Sequence, residues 1–141
     1  MVYVGSAFDN TMYASRADTG TAKWTFPTSG AIYSSPTVAN GVVYFQSDDG
    51  NVYGVDAITG QGLWLYNAGG PTQENYSSPA VADGAVYVGS KSNDGGGYLY
   101  AFDLAGSSPG DKLNPSERPD PASLKPDWSL QPSEAVTATK K

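Results

Sequence analysis

Four sets of side chains in this 141-residue sequence have the type and spacing to do chemistry. Trp24 and Trp64 each stand four positions after a Thr-Gly pair, in RADTGTAKW (16–24) and DAITGQGLW (56–64), and an indole so placed could stack on a planar cofactor. The acidic stretches SDDGN (47–51) and SNDGGG (92–97) could hold a cation. Ser34-Ser35-Pro36 and Ser77-Ser78-Pro79 offer hydroxyl nucleophiles. Tyr33 and Tyr76, directly ahead of those serines, offer a ring and a hydroxyl to a surface ligand.

Most of these readings weaken against the rest of the composition. The acidic loops lack the alternating acids closed by a glutamate that an EF-hand loop requires, and Asp-Gly is also ordinary hairpin-turn chemistry. There is no His and no Cys. That removes Ser-His and Cys-His pairs, thiolates, disulfides and the usual zinc and haem ligands. Lys91 and Lys112 stand at no spacing that would make either a base for the serines. A polar cap followed by a proline opening an edge-type strand accounts for Ser-Ser-Pro without catalysis.

Charge narrows the partners. Residues 1–110 carry nine acidic and three basic groups (Arg16, Lys23, Lys91), the whole net charge of −6; five acids and five bases cancel from 111 onward. A nucleic-acid groove lacks its electrostatic term, and an anionic membrane surface is disfavoured on the same ground. No apolar run approaches the length of a membrane span. MVYVGSAFDN has no basic n-region and reads as a strand, so no signal peptide is visible in this chain.

The elements that position these residues come from a repeat. VYVGS (2–6) returns as VYFQS (43–47) and VYVGS (86–90), with Tyr3, Tyr44 and Tyr87 separated by 41 and 43 residues. YSSPTVANG (33–41) returns as YSSPAVADG (76–84), and Trp24 and Trp64 are 40 apart. Agreement of several features on one period of about 40 marks a repeat architecture. Each unit parses into four short strands, seen in full at 36–39, 42–47, 52–57 and 63–67, with turns at Asn40-Gly41, 48–51 and Thr59-Gly60. The density of Gly, Pro, Asn and Asp excludes long helices. Four-stranded antiparallel units of this length predict an all-β fold of β-propeller blades.

The pattern SSPxVxxGxVYxxSxDGxxYxxDxxTGxxxW resembles the PQQ-like repeat, found in pyrroloquinoline-quinone dehydrogenases and in many propellers that bind no quinone. The resemblance covers about residues 1–106. It divides them into a partial blade (1–33), a full blade (34–76) and a third blade through its third strand (77–106). The first unit lacks its opening strand and has Arg16 where the second has Asp56. After Asp103 the third departs, with Trp128 placed 22 residues beyond Gly106.

The resemblance implies that Gly20, Trp24, Asp56, Gly60, Trp64 and Asp103 act as structural blade clasps: Asp and Gly shape a turn, and Trp ties neighbouring blades. Arg16 then marks a weaker tie or a free edge. The family's quinone-site Trp, acidic calcium ligands, catalytic Asp and adjacent cysteines match no position here. Catalytic, cofactor-binding and metal residues are therefore expected to be none, with PQQ and calcium arising only if the chain is a dehydrogenase fragment.

About two and a half to three blades make an incomplete propeller, since closed rings use about four to eight. A piece of a longer reading frame, a ring completed by several chains, or an open array would each reconcile the count. Residues 107–126 hold five of the ten prolines and read as a loop or linker. In 127–141, Trp128-Ser129-Leu130 and PSEAVTA (132–138) could supply late strands before a frayed tail. The functional expectation is a non-catalytic scaffold for a protein or glycan partner, extracytoplasmic by resemblance, with Tyr33 and Tyr76 as surface contacts. The alternative is a fragment of a quinone-dependent alcohol or sugar dehydrogenase. Self-association through open blade faces is the further expectation.

Overall fold

Short strands separated by turns that reverse the chain leave little choice but antiparallel sheets, and the computed structural model has three. It describes residues 1–68, 76–82, 84–91 and 97–104, without the side chains of Lys91, Gly97 and Asp103. The expected linker (107–126), the late strands near Trp128 and 132–138, the tail and most of SNDGGG lie outside the described residues.

The first sheet has the order β1-β2-β3 (Val2–Gly5, Thr11–Ser15, Ala22–Pro27). The second is β4-β5-β6-β7 (Thr37–Ala39, Val42–Gln46, Asn51–Asp56, Gly62–Asn67). The third is β8-β9-β10 (Ala80–Ala82, Ala85–Lys91, Gly97–Asp103). Every pairing is antiparallel between consecutive strands, as in propeller blades. Register proves the repeat: Tyr3 faces Ala14, Tyr44 faces Gly54, and Tyr87 faces Ala101. The first sheet thus holds the second to fourth strands of the unit, and the third sheet the first three.

Turn chemistry explains the reversals. Asn40 and Gly41 both have positive φ (49° and 77°), the conformation of a two-residue hairpin turn. At the other turn Asp56 closes the loop from both sides: its N–H donates to Gln61 O at 2.8 Å, and its carbonyl accepts from Gly60 N at 2.9 Å. Arg16 does the same with Thr21 and Gly20. A register shift follows each turn, between Ala14 and Ser15 and between Gly54 and Val55. This bulge leaves Lys23 and Leu63 without a cross-strand partner and sets Trp24 opposite Ala14 and Trp64 opposite Gly54.

The core lies between sheets. Met12, Ile32, Val43, Phe45, Tyr53 and Val55 form one buried cluster, with Tyr3, Trp24 and Phe26 of the first sheet packed against it. Phe26 meets Phe45 and Tyr53 edge-on at 6.1 and 5.6 Å. Tyr44, Val52, Ala68, Val86 and Val88 form the second cluster, with Trp64, Tyr66 and Phe102 alongside. Each fully buried Val or Phe is worth about 1.5–3 kcal/mol, so the stability of each sheet depends on its neighbour. Among the described residues no helix is long and apolar enough to cross a membrane.

Candidate functional site

The two indoles sit in the seams between sheets. Trp24 Nε1 donates to the carbonyl of Ala57 at 3.1 Å, and the Tyr3 hydroxyl donates to the same oxygen at 2.9 Å. Their rings lie 5.7 Å apart. Two donors from the first sheet thus converge on one peptide of the second. Ala57 is 6% exposed, and its own N–H is held by Gly41 O at 2.8 Å.

Asp56 shapes the turn that presents this carbonyl. One carboxylate oxygen accepts from Ile58 N (3.0 Å), Thr59 N (2.7 Å) and Thr59 Oγ1 (2.8 Å). The Thr59 backbone bond, then its hydroxyl bond, lowers the Asp56 pKa by favouring the charged form. Gly60 closes the turn at φ 76°, directly under Trp24: a Cβ there would meet the indole at 2.7 Å. Trp64 lies against Gly54, where a Cβ would meet it at 2.5 Å. It then packs on Phe102 of the third sheet at 5.2 Å and on Tyr44 at 5.8 Å. Leu104, packed against the same cluster, repeats the Ala57 anchor by donating its N–H to Gly84 O at 2.8 Å.

Gly20 differs. Its turn has φ 70°, but nothing lies within 4 Å of where a Cβ would stand. Arg16 cannot accept the turn's N–H groups as Asp56 does. It forms instead an exposed ion pair with Asp18, Nε to Oδ1 at 2.9 Å, which raises the Arg16 pKa and lowers that of Asp18.

Tyr33 and Tyr76 are brought together. Their rings are 5.1 Å apart at 55°, and they remain 50% and 60% exposed. The backbone beneath is fixed by the serines. Ser34 Oγ donates to Gln46 O (2.8 Å) and accepts from Gln46 N (2.9 Å); Ser77 Oγ accepts from Gly89 N (3.0 Å). Ser78 Oγ accepts from Ser35 N at 2.9 Å, and the Thr37 hydroxyl donates to Pro79 O, stitching one Ser-Ser-Pro segment to the next.

The acids of 47–51 are equally engaged. Asp49 accepts from Tyr53 Oη (2.6 Å), Ser29 N (3.1 Å) and Asn51 N (3.0 Å). Burial, with Asp49 beside it, pushes the Tyr53 hydroxyl pKa up. Among the described residues no cluster of three or more acidic side chains is placed to hold a metal ion. Among the described residues these donors are already engaged within the fold: the indoles with Ala57, Gly60 and Gly54, Asp56 with its own turn, and Asp49 with Tyr53, Asn51 and the Ser29 N–H of the first unit, a set that does not fit a quinone with its calcium.

Three features escaped the sequence. The Tyr3 hydroxyl shares the tie, where the sequence showed Tyr3 only as a mark of the repeat. The bulge ahead of each Trp was hinted at only by the three residues separating Gly from Trp. Gln46 is fully buried with neither amide atom hydrogen-bonded, where the other units have Gly5 and Gly89; the Gln-for-Gly exchange is visible, its burial is not.

A family model described as outer membrane protein assembly factor BamB matches residues 1–113. No curated protein matches the sequence significantly. Among solved structures, BamB from Moraxella catarrhalis superposes with a TM-score of 0.59 at 21% identity, over 76% of this chain and 31% of that one. A europium-containing methanol dehydrogenase gives 0.58 at 24% identity, over 72% of this chain and 21% of that one. The quinohemoprotein alcohol dehydrogenase from Comamonas testosteroni gives 0.52 at 24%, over 69% and 18%. At these identities the likeness establishes the fold alone. The chain spans less than a third of the length of each.

Proposed function

The chain belongs to the PQQ-like propeller family of the outer membrane protein assembly factor BamB, and from that membership we propose that it is a non-catalytic binding scaffold. Gly20, Trp24, Asp56, Gly60, Trp64 and Asp103 serve as blade clasps, in units bounded at 1–33, 34–76 and 77–106. The observation that carries this reading is the commitment of Trp24 to the Ala57 carbonyl and Gly60, which engages its N–H and part of its ring within the fold. A surface that suits a partner is the Tyr33–Tyr76 pair, half exposed on a hydrogen-bonded Ser-Ser-Pro base. A protein segment or a glycan suits such a pair, since both present apolar edges with hydrogen-bonding groups. Family likeness supports a setting outside the cytoplasm.

The second reading, a fragment of a quinone-dependent dehydrogenase, draws on the two dehydrogenases among the similar structures. Under it, the ligands for quinone and calcium come from residues outside this chain. Titration of the purified chain with pyrroloquinoline quinone and calcium, followed by a dye-linked dehydrogenase assay, separates the two. The scaffold reading expects no saturable change in tryptophan emission and no dye reduction. Saturable binding accompanied by turnover overturns it.

A further inference from the structure

Antiparallel strands send the connections of this chain to two ends. The Asn40-Gly41 turn and the turns at 16–20 and 56–60 lie at one end. The loops 6–10 and 47–50 lie at the other, with the links that leave β3 for β4 and β7 for β8. Tyr33 stands in the first of these links and Tyr76 in the second, within the chain rather than on its outer sheets. The first link is fastened to both loops. Thr28 N donates to Asn10 O at 2.8 Å and Ile32 N to Ser6 O at 3.2 Å. Ser29 N donates to Asp49 Oδ2 at 3.1 Å, and Asp48 N to Ala31 O at 2.9 Å. The tyrosine pair therefore shares its end of the sheets with Asp9, Asp48 and Asp49.

Charge is lopsided along the strands of the first two sheets. Among their described residues, the aromatic end carries those three carboxylates and no base. At the opposite end Arg16 and Lys23 offset Asp18 and Asp56. In the third sheet Lys91 ends β9 on the aromatic side. Geometry favours a cation as well. A guanidinium or ammonium is attracted to an aromatic face within about 6 Å of its centroid. The Tyr33 and Tyr76 centroids are 5.1 Å apart, so one cation can come within that range of both. Rings tilted by 55° make no single flat platform for a sugar ring.

We infer that the Tyr33–Tyr76 pair is the docking point for a basic protein segment, with an arginine side chain of that segment lying on the rings. The inference rests on the scaffold reading and narrows its partner from a protein or glycan to a cationic stretch of protein. Arginine suits the pair better than lysine, because its planar guanidinium stacks on an aromatic face and is more weakly hydrated. Asp9, Asp48 and Asp49 supply the field that draws the segment to this end and not to the other. Both rings are already half exposed over a hydrogen-bonded base, so docking requires no rearrangement of the sheets.

Calorimetric titration of the full chain at low salt tests this with three probes: an end-blocked peptide of alternating arginine and serine, its citrulline counterpart, and cellohexaose as a neutral glycan. The arginine peptide binds, and the uncharged citrulline peptide binds about tenfold or more weakly. Y33A/Y76A weakens the arginine peptide about tenfold, and Y33L/Y76L, which keeps apolar bulk but removes both ring faces, does the same. Unchanged far-ultraviolet circular dichroism of either double variant shows that the fold is intact. D48N weakens binding about twofold to fivefold, whereas D18N, an equal change of charge at the opposite end, leaves it unaltered. Equal binding of the arginine and citrulline peptides overturns the inference, as does parent-like affinity in both tyrosine variants. A loss in D18N as large as that in D48N overturns it by showing attraction to net charge alone. Tighter binding of cellohexaose than of the arginine peptide overturns it in favour of a glycan. The scaffold reading fails separately, by quinone turnover, so the two failures are distinguishable.

Discussion

The Ala57 carbonyl accepts two hydrogen bonds from a neighbouring sheet, and a double-mutant cycle can weigh that arrangement. Tyr3→Phe removes one donor and leaves the oxygen satisfied by Trp24, so it should cost about 0.5–1.5 kcal/mol. Trp24→Phe removes the other donor and trims the indole packed on Gly60, for about 1–3 kcal/mol in all. In the double variant a nearly buried carbonyl loses both side-chain partners, and an unsatisfied buried acceptor adds about 1–3 kcal/mol of its own. The combined loss should therefore exceed the sum of the singles by roughly 1 kcal/mol, well outside the scatter of independent sites. Urea denaturation of the four proteins, with m held constant, measures it. Additive losses, or a double variant as stable as either single, would refute a shared acceptor and leave ring packing as the whole tie.

Gly60 and Gly20 give a matched comparison at equivalent turns. Gly20→Ala meets open space and should cost only the left-handed backbone term, about 1–2 kcal/mol; Gly60→Ala adds a clash with Trp24 and should cost about 1–3 kcal/mol more, both read from thermal or urea melts. The lowered pKa of Asp56 sets a pH dependence of definite sign. Its stabilising contribution is present above the ordinary value of 3.8 and is lost as pH falls through the lower folded value, so the stability gap between the parent and Asp56→Asn should narrow below that pH. A gap that stays constant or widens on acidification would mean that the carboxylate charge is not what holds the turn.

Much of the architecture was legible because it is local. Asn40-Gly41 is a turn by its own conformational preferences, and SSPxVxxG with VYxxS announces strand, turn and strand within a dozen residues. Arg16 in place of Asp56 set the first unit apart, since an arginine side chain offers no acceptor to a turn's N–H groups. The parts that stayed hidden depend on distance in the chain. Tyr3 and Trp24 meet Ala57 across 54 and 33 residues, and no spacing rule reports which carbonyl two donors will share. Gln46 closes a strand whose last four residues are all buried, so no in-and-out alternation announces it. The pairing of Tyr33 with Tyr76 was likewise invisible, although each was singled out; the ladder through Ser35, Ser78, Thr37 and Pro79 brings the two repeats into register.

Whether the indoles are ties or ligand platforms is open to direct measurement. Exchange of the Trp24 indole N–H, followed by heteronuclear NMR with and without pyrroloquinoline quinone and calcium, reads this directly. A tie predicts an indole proton protected to nearly the level of global unfolding, with a chemical shift that neither additive moves. Rapid exchange, or a shift that saturates with quinone, would contradict it.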